Sequence, residues 1–240
     1  MLLLCQQVII GVIVYYMKTK IVIAALTSAL ITNVASAEAK STGLKIGGDI
    51  QAGYVSDDFF RGQASGGESL QATVGFNTNV GSVGLFADLA TTQSVDSTEA
   101  DTNDISIGLS LSPVSKLDLL LGLYNTDVSS TGGTLEGFVG AKIDAWLNPE
   151  IVVYRNTSHE LYTYEAGLSQ QIDLDVCALR VSGWLGNTEL TSSTDSTYYG
   201  AKLAAVKNVG GVDLYADVAV DDNEDRDAET LWGAGISVKF

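Results

Sequence analysis

Residues that could carry acid–base or nucleophilic catalysis are scarce in this 240-residue chain, which has one histidine and two cysteines. The histidine, His159, stands between Ser158 and Glu160. Neighbouring side chains on an extended strand point to opposite faces, so Ser158 and His159 make a poor catalytic pair. A lipid-hydrolysing barrel enzyme is therefore a remote alternative, and we predict a protein that is not an enzyme and has no cofactor or metal.

Acidic residues are the other chemical feature, because 29 Asp and Glu outnumber 13 Lys and Arg and give a net charge of -16. This charge argues against binding to the phosphates of nucleic acids. Several carboxylates lie in residues 221–229, whose alternating Asp and Asn resemble the start of a calcium loop. Arg226 stands where that loop needs glycine, so we expect diffuse attraction of cations there and no specific calcium site.

The first 37 residues contain no Asp or Glu and differ in composition from the rest of the chain. Met17 is followed by two lysines, an apolar stretch and an Ala-Ser-Ala sequence, which together are typical of a secretory signal peptide. We predict a signal peptide at residues 17–37, with residues 1–16 as an upstream mis-start or leader extension and residues 38–240 as the exported protein. An uncleaved membrane anchor is the alternative.

Apolar and polar residues alternate with a period of two along the exported part, as in strands with one apolar and one polar face. The pattern is clear in residues 104–112, where Ile105, Ile107, Leu109 and Leu111 occupy every second position. Extended along the chain, the pattern predicts twelve strands, near residues 44–55, 68–80, 82–93, 103–112, 116–126, 134–146, 150–156, 161–172, 175–186, 197–207, 211–221 and 229–240.

The connections between these strands alternate in length, which is an independent test of the pattern. Every second connection is tight, and Pro113 and Pro149 fall in these turns, whereas the others are mostly longer and polar. Tight periplasmic turns and longer outer loops are typical of outer-membrane barrels. We therefore predict an all-β fold, namely a closed antiparallel transmembrane β-barrel of about 12 strands in the bacterial outer membrane. Two stacked sheets that bury the apolar faces are the alternative.

The last strand ends in phenylalanine and carries apolar residues at alternate positions. This ending resembles the C-terminal signal that the outer-membrane barrel assembly machinery reads, so we expect that machinery and outer-membrane lipid as partners. Aromatic residues at strand ends, Tyr198 among them, are expected in girdles at the membrane interfaces. Trp184 falls on the inward phase, so a bulge or an error in the predicted register has to be allowed for there. The predicted assembly signal consists of Trp232, Ile236, Val238 and Phe240.

With the apolar stripe against lipid, the polar stripe faces the interior of the barrel. Its ionised side chains carry both signs and would filter solutes by charge in a water-filled pore. The alternative is that these groups pair across a narrow barrel and partly close it. The predicted pore-lining residues are Lys45, Asp49, Gln71, Asp88, Asp118, Glu136, Lys142, Asp144, Glu165, Arg180, Lys202, Asp213, Asp217 and Lys239.

The segment YVSDDFFRG, residues 54–62, resembles a motif of the TorF-type porin family of proteobacteria, which shows S-D-Y-x-F-R-G at the end of its first strand. Asp58 replaces the tyrosine of that motif. The resemblance implies an outer-membrane porin of poorly defined substrate. From the residues alone, the segment is either an interfacial aromatic pair with a snorkelling arginine or an inward-folded loop. The residues that match the motif are Ser56, Asp57, Phe60, Arg61 and Gly62.

These features predict a passive outer-membrane channel for small hydrophilic solutes or ions. The acidic outer loops favour cations at its mouth. A closed structural or adhesive barrel, with its acidic loops as the functional surface, is the alternative.

Overall fold

The computed structural model describes residues 46–61, 63–95, 101–129, 132–191, 194–224 and 226–240. The predicted signal peptide and Lys45 lie outside these residues, so the division into leader and exported chain stays a prediction. Among the residues that the structure describes, no helix is long and apolar enough to cross a membrane.

Twelve antiparallel strands form a closed barrel, which confirms the predicted fold class. A separate two-stranded hairpin, Asp58–Phe60 (β2) and Gln63–Gly66 (β3), follows the first barrel strand. The barrel strands are Ile46–Val55 (β1), Ser69–Val80 (β4), Val83–Ser94 (β5), Thr102–Val114 (β6), Leu117–Val128 (β7), Gly132–Ile143 (β8), Glu150–Asn156 (β9), Tyr162–Asp173 (β10), Ala178–Thr191 (β11), Thr194–Val209 (β12), Val212–Asn223 (β13) and Arg226–Lys239 (β14).

Each barrel strand pairs with its neighbours along the chain, and β1 pairs with β14 to close the ring. Because the strand number is even, the start of β1 and the end of β14 lie at the same end of the barrel, which we call the termini end. Turns at this end are tight: β12 and β13 are joined by Gly210 and Gly211, whose φ values are 63° and 89°. Two consecutive residues at positive φ are what a type I′ hairpin turn requires, and glycine adopts them without strain.

Two of the connections at the opposite end, which we call the loop end, are clearly shorter than predicted. Residues 187–196 were expected to form a loop, but β11 runs to Thr191 and β12 begins at Thr194. Similarly, β13 and β14 stay paired as far as Asn223 and Arg226, so the acidic segment continues the sheet. Hydrophobic alternation is weak where both faces of a strand are polar, and the pattern therefore underestimates how far these strands extend.

The apolar stripe lies on the outer surface of the barrel. Ile107 and Leu109 of β6 and Leu121 and Leu123 of β7 are all exposed, although they are large apolar side chains in the middle of paired strands. A contiguous exposed apolar surface of this kind marks contact with lipid. A closed barrel also pairs its backbone groups between strands, as the interior of a bilayer demands. The architecture is that of an outer-membrane β-barrel.

Aromatic rings on the inner surface lie over glycines of adjacent strands. The Phe86 ring lies against Gly108, and the Phe138 ring against Gly122, so closely that a Cβ on either glycine would be 2.5 Å from the ring. Because Phe86, Gly108, Gly122 and Phe138 are successive cross-strand partners, the two rings cover one continuous row of the wall. These glycines therefore make room for inward rings, a role that turn propensity does not predict.

The inward phase of Trp184 is confirmed, whereas the expected place of Tyr198 in an interfacial girdle is wrong. The register of β11 and β12 continues without a bulge through the pair Trp184 and Gly200, and the Trp184 ring lies over that glycine. Its Nε1 donates a hydrogen bond to Oδ2 of Asp221 at 3.3 Å. Tyr198 is only 2 % exposed and its hydroxyl donates to Glu165, so it belongs to the inner surface and not to an interfacial girdle. Both rings obey the alternation, because a glycine opposite each of them leaves space inside.

Candidate functional site

The hairpin of β2 and β3 carries Arg61 in its turn, at a φ of 51°. A non-glycine residue at positive φ persists where its surroundings hold it. The Arg61 side chain contacts β8, β9 and β10, which lie on the opposite side of the ring from β1 and β4. Twelve strands spaced ~4.8 Å apart and tilted by ~40° enclose a ring about 24 Å across. An arginine side chain is far shorter than this, so the hairpin folds into the lumen.

Two carboxylates, Glu136 on β8 and Glu165 on β10, lie next to the Arg61 guanidinium. Nη1 donates to Oε1 of Glu136 at 2.9 Å and Nη2 donates to Oε2 at 2.7 Å, which is a bidentate pair. Both side chains are only 9 % exposed. Oε1 of Glu165 is 3.9 Å from Nε of Arg61, and Oγ1 of Thr163 is 3.4 Å from Nη1.

Two tyrosine rings complete the surroundings of the guanidinium. Its Cζ is 4.3 Å from the centroid of the Tyr154 ring and 5.7 Å from that of Tyr124. Both distances are within the range of a cation–π interaction. We call the five groups around the guanidinium the Arg61 cage; they are Glu136, Glu165, Thr163, Tyr124 and Tyr154.

Strand register brings the cage residues together. Tyr124 of β7 is the cross-strand partner of Glu136 of β8, and Tyr154 of β9 is the partner of Thr163 of β10. Alternation puts each of these side chains on the same face as its partner, so four neighbouring strands supply one continuous patch. The patch lies nearer the loop end, since Tyr154 is two residues from the end of β9.

The charge of Arg61 is retained inside the barrel. Burial by itself lowers the pKa of the guanidinium, but the hydrogen bonds and the charge of Glu136, together with the charge of Glu165, raise that pKa above its ordinary value. The guanidinium therefore keeps its positive charge inside the barrel. This contact is a charge-assisted clamp between the hairpin and the far wall.

Several of the other predicted pore-lining residues form pairs along the wall. Nζ of Lys202 is 3.3 Å from Oδ2 of Asp217 on the next strand, and Nζ of Lys142 is 4.0 Å from Oε2 of Glu150. Arg180 donates to the Gln171 amide oxygen at 3.0 Å. The Lys142 and Lys202 pairs join adjacent strands, whereas the Arg61 pair with Glu136 crosses the lumen.

Asp49 and Asp88 stand on either side of Gly75, and their Oδ1 atoms would both be within 3.0 Å of a Cβ on that glycine. Asp88 also accepts a hydrogen bond from Ser106 at 3.0 Å. The remaining predicted positions lie on separate parts of the wall: Gln71 is the partner of Gly53 and Thr92, Asp118 accepts from Ser112, Asp213 accepts from Asn208, Asp144 is exposed just after β8, and Lys239 is the partner of Asp49.

A second ion pair lies on the inner surface at the loop end. Nη2 of Arg226 is 2.9 Å from Oδ1 of Asp221, whose other oxygen accepts from Trp184. Glu229 is 3.7 Å from Nη1 of Arg226. Part of the acidic segment is thus neutralised by its own arginine, which the sequence pattern did not predict. Among the described residues, no three His, Cys, Asp or Glu side chains are grouped so that they could hold a metal ion.

The predicted assembly residues lie at the seam between β1 and β14. Phe240 exchanges two backbone hydrogen bonds with Gly48, both 3.0 Å long, and its ring meets Phe76 edge-on at 6.1 Å. At the other end of the seam, Trp232 lies 5.1 Å from Tyr54, and its backbone N donates to Oγ of Ser56 at 2.9 Å. The seam residues therefore contribute to closure of the barrel, whereas their recognition by assembly machinery stays a prediction.

His159 lies in an exposed turn after β9. The side-chain oxygen of Asn156 accepts hydrogen bonds from the backbone N of Ser158 at 2.9 Å and of His159 at 3.0 Å. This arrangement stabilises a tight turn. It gives no support to the hydrolase alternative.

Comparison with known proteins supports the fold. No protein-family model matches the chain, and no curated protein matches it. The solved KdgM porin superposes with a TM-score of 0.55 at 12% identity, over 80% of this chain and 99% of the porin. The NanC porin gives the same TM-score and identity, over 80% of this chain and 100% of the porin. The chain therefore has a porin-type fold, and the resemblance to the TorF-type family stays a prediction.

Proposed function

We propose that this chain is an outer-membrane channel of the porin type through which small hydrophilic solutes or ions diffuse passively, with a preference for cations. The observation that carries the proposal is the ionised inner wall. Lys202 lies in the middle of β12 on the inward phase, yet its side chain is 42% exposed, and it is 3.3 Å from the Asp217 carboxylate. Charged groups that keep this much contact with solvent inside a closed barrel line a water-filled path.

The proposed path runs along the predicted pore-lining residues and narrows at the Arg61 cage. The cage and the hairpin lie toward the loop end, so a solute entering there meets the hairpin before it reaches the wall nearer the termini end. Asp49 and Asp88, which face each other across Gly75, give that part of the wall a concentrated negative charge. Such a wall attracts cations and repels anions.

Planar-bilayer recording of refolded protein tests the channel. We expect stepwise conductance, and in a KCl gradient we expect a reversal potential of the sign that marks K⁺ as the more permeant ion. A reversal potential of the opposite sign would refute the cation preference. A folded barrel that never conducts, in the wild type and in Arg61→Ala alike, would refute the channel.

A closed structural or adhesive barrel is the second candidate, because the hairpin and Arg61 occupy part of the lumen. Arg61→Ala separates the two candidates, since it removes the side chain that ties the hairpin to the far wall. Larger conductance steps in this variant support a channel that the hairpin narrows. The TorF-type relationship, the assembly machinery as a partner and the outer-membrane lipid as surroundings belong to the same proposal.

A further inference from the structure

The Arg61 cage has the groups that recognise a guanidinium ion. Glu136 presents both carboxylate oxygens to two guanidinium nitrogens, at 2.9 and 2.7 Å. The Tyr154 ring lies 4.3 Å from the guanidinium carbon. Glu165, 3.9 Å from Nε, adds a second negative charge. A planar cation with a fork of donors fits this arrangement better than a compact ammonium does.

The cage belongs to the barrel wall, whereas the guanidinium reaches it from a separate hairpin. All five cage residues are on β7, β8, β9 and β10. Arg61 is in the turn between β2 and β3, a hairpin that is not paired with any barrel strand among the described residues. The wall therefore forms a binding site, and Arg61 is a ligand on a tether.

We propose that the Arg61 cage is a recognition site for solutes that carry a guanidinium group, and that Arg61 is its tethered occupant. This inference rests on the proposed channel function, because the solute must reach the cage through the lumen. A tethered ligand acts at an effective concentration in the millimolar range, so a free guanidinium solute competes with it at similar concentrations. An anionic solute is repelled by Glu136 and Glu165.

The charge and shape of the cage determine which solutes it selects. A guanidinium solute recovers the bidentate hydrogen bonds to Glu136 and the contact with the face of Tyr154. A methylammonium ion is a point charge and cannot bridge both oxygens of Glu136 in the same plane. We therefore expect discrimination between the two cations, although their net charges are equal.

The test measures binding of methylguanidinium to the refolded barrel in detergent, by saturation-transfer NMR of its methyl resonance. We expect Arg61→Ala to bind it with a millimolar Kd, at least tenfold more tightly than the wild type does. Adding Glu136→Gln to Arg61→Ala should weaken binding about tenfold, and methylammonium should bind at least tenfold more weakly than methylguanidinium. Equal affinity of Arg61→Ala with and without Glu136→Gln would overturn the proposal, as would equal affinity for the two cations.

Arg180→Ala is the matched control. It removes a second arginine from the inner wall, but Arg180 donates to the Gln171 amide and lies outside the cage. This variant should bind methylguanidinium no better than the wild type, and tighter binding would overturn the proposal. Folding is checked by the difference in gel mobility between heated and unheated samples.

If Arg61→Ala does not fold, Arg61→Lys replaces it and keeps a positive charge near the carboxylates. We expect Arg61→Lys to bind methylguanidinium more tightly than the wild type, because a lysine competes poorly for the planar site. Binding no tighter than that of the wild type would overturn the proposal. Conductance is measured separately: binding without any conductance would refute the channel and not the cage, and conductance without binding would refute the cage alone.

Discussion

Glu136→Gln should loosen the hairpin from the far wall of the barrel. Glu136 accepts two hydrogen bonds from Arg61, at 2.9 and 2.7 Å, and both side chains are 9% exposed. The substitution keeps the shape of the side chain and one acceptor oxygen, but it removes the charge and replaces the second acceptor with a donor. The positive hairpin tip then has only Glu165 as a nearby carboxylate in the cage.

The magnitude follows from the bonds that are lost. A hydrogen bond to a charged group contributes ~1.5–3 kcal/mol in the folded state. The substitution removes one of these bonds and turns the other into a bond with a neutral acceptor. The bound hairpin is therefore destabilised by about 2 kcal/mol, which shifts the equilibrium between the bound and the released hairpin by roughly thirty-fold. Because a released Arg61 can move into water, its charge is not left buried without a partner. The unfolding free energy of the whole barrel should therefore change by less than the cost of an unpaired buried guanidinium.

Single-channel recording measures this equilibrium as the fraction of time at a higher conductance level. We expect the ratio of time at the higher level to time at the lower level to rise by about thirty-fold in Glu136→Gln, and the fraction at the higher level to rise accordingly. Glu150→Gln is the control, because Glu150 undergoes the same chemical change on the same wall, with Lys142 as its partner at 4.0 Å. The reasoning is refuted if Glu136→Gln and Glu150→Gln give the same fraction, or if the fraction in Glu136→Gln stays at the wild-type value.

Three further predictions concern the wall, the seam and the outer surface. Lys202→Ala leaves the 7 % exposed Asp217 carboxylate without its lysine, so the free energy of unfolding in urea should fall by about 1 kcal/mol and the reversal potential should shift towards stronger cation preference. Replacing the exposed Lys239 with alanine should lower the free energy of unfolding by less, and equal losses would contradict this role of the pair. Gly48→Val should hinder pairing of β1 with both neighbours, because a Cβ there would be 2.2 Å from the carbonyl oxygen of Gly75 on β4 and 2.7 Å from the Phe240 ring at the seam. Gly137→Val is the control, since a Cβ at Gly137 would have no atom within 4 Å. Gel mobility of unheated samples measures the folded fraction, and equal fractions would count against the steric argument. In single-tryptophan variants, brominated lipid should quench the fluorescence of Trp232, because this side chain is 55 % exposed on the outer surface. The fluorescence of Trp184, which is bonded to Asp221 on the inner surface, should stay largely unchanged. Stronger quenching of Trp184 than of Trp232 would mean that the two faces are exchanged.

The fold could be predicted from the sequence because strand alternation is a local property. Leu109 and Leu111 alternate with Ser110 and Ser112 whatever the rest of the chain does, and a strand with this pattern needs an apolar and a polar surrounding. The number of strands followed from the same pattern. Strand ends at the loop end were wrong because residues 187–191 and 194–196 are polar apart from Leu190, so the sequence shows no contrast between two faces that would mark where pairing stops.

The candidate site could be predicted only in part. Glu136 and Glu165 were expected inside the barrel on phase alone, but their meeting on one arginine depends on the path of the hairpin. That path is a long-range property, since Arg61 and Glu136 are 75 positions apart in the chain. Tyr124 and Tyr154 were missed because an inward aromatic ring contradicts a polar stripe, and their cross-strand partners, Glu136 and Thr163, are themselves polar.

The amino-acid order alone therefore determined an alternating, acidic chain that closes as a barrel with a polar inside, whereas its export stays a prediction. Tertiary structure decided which charges pair, which glycines lie beneath rings, and that Arg61 crosses the lumen to the far wall. The physical reason is range: alternation is set by the two-residue repeat of the backbone, whereas the contacts of an inward-folded hairpin depend on strand register and ring closure. Those are settled only when all twelve strands are in place.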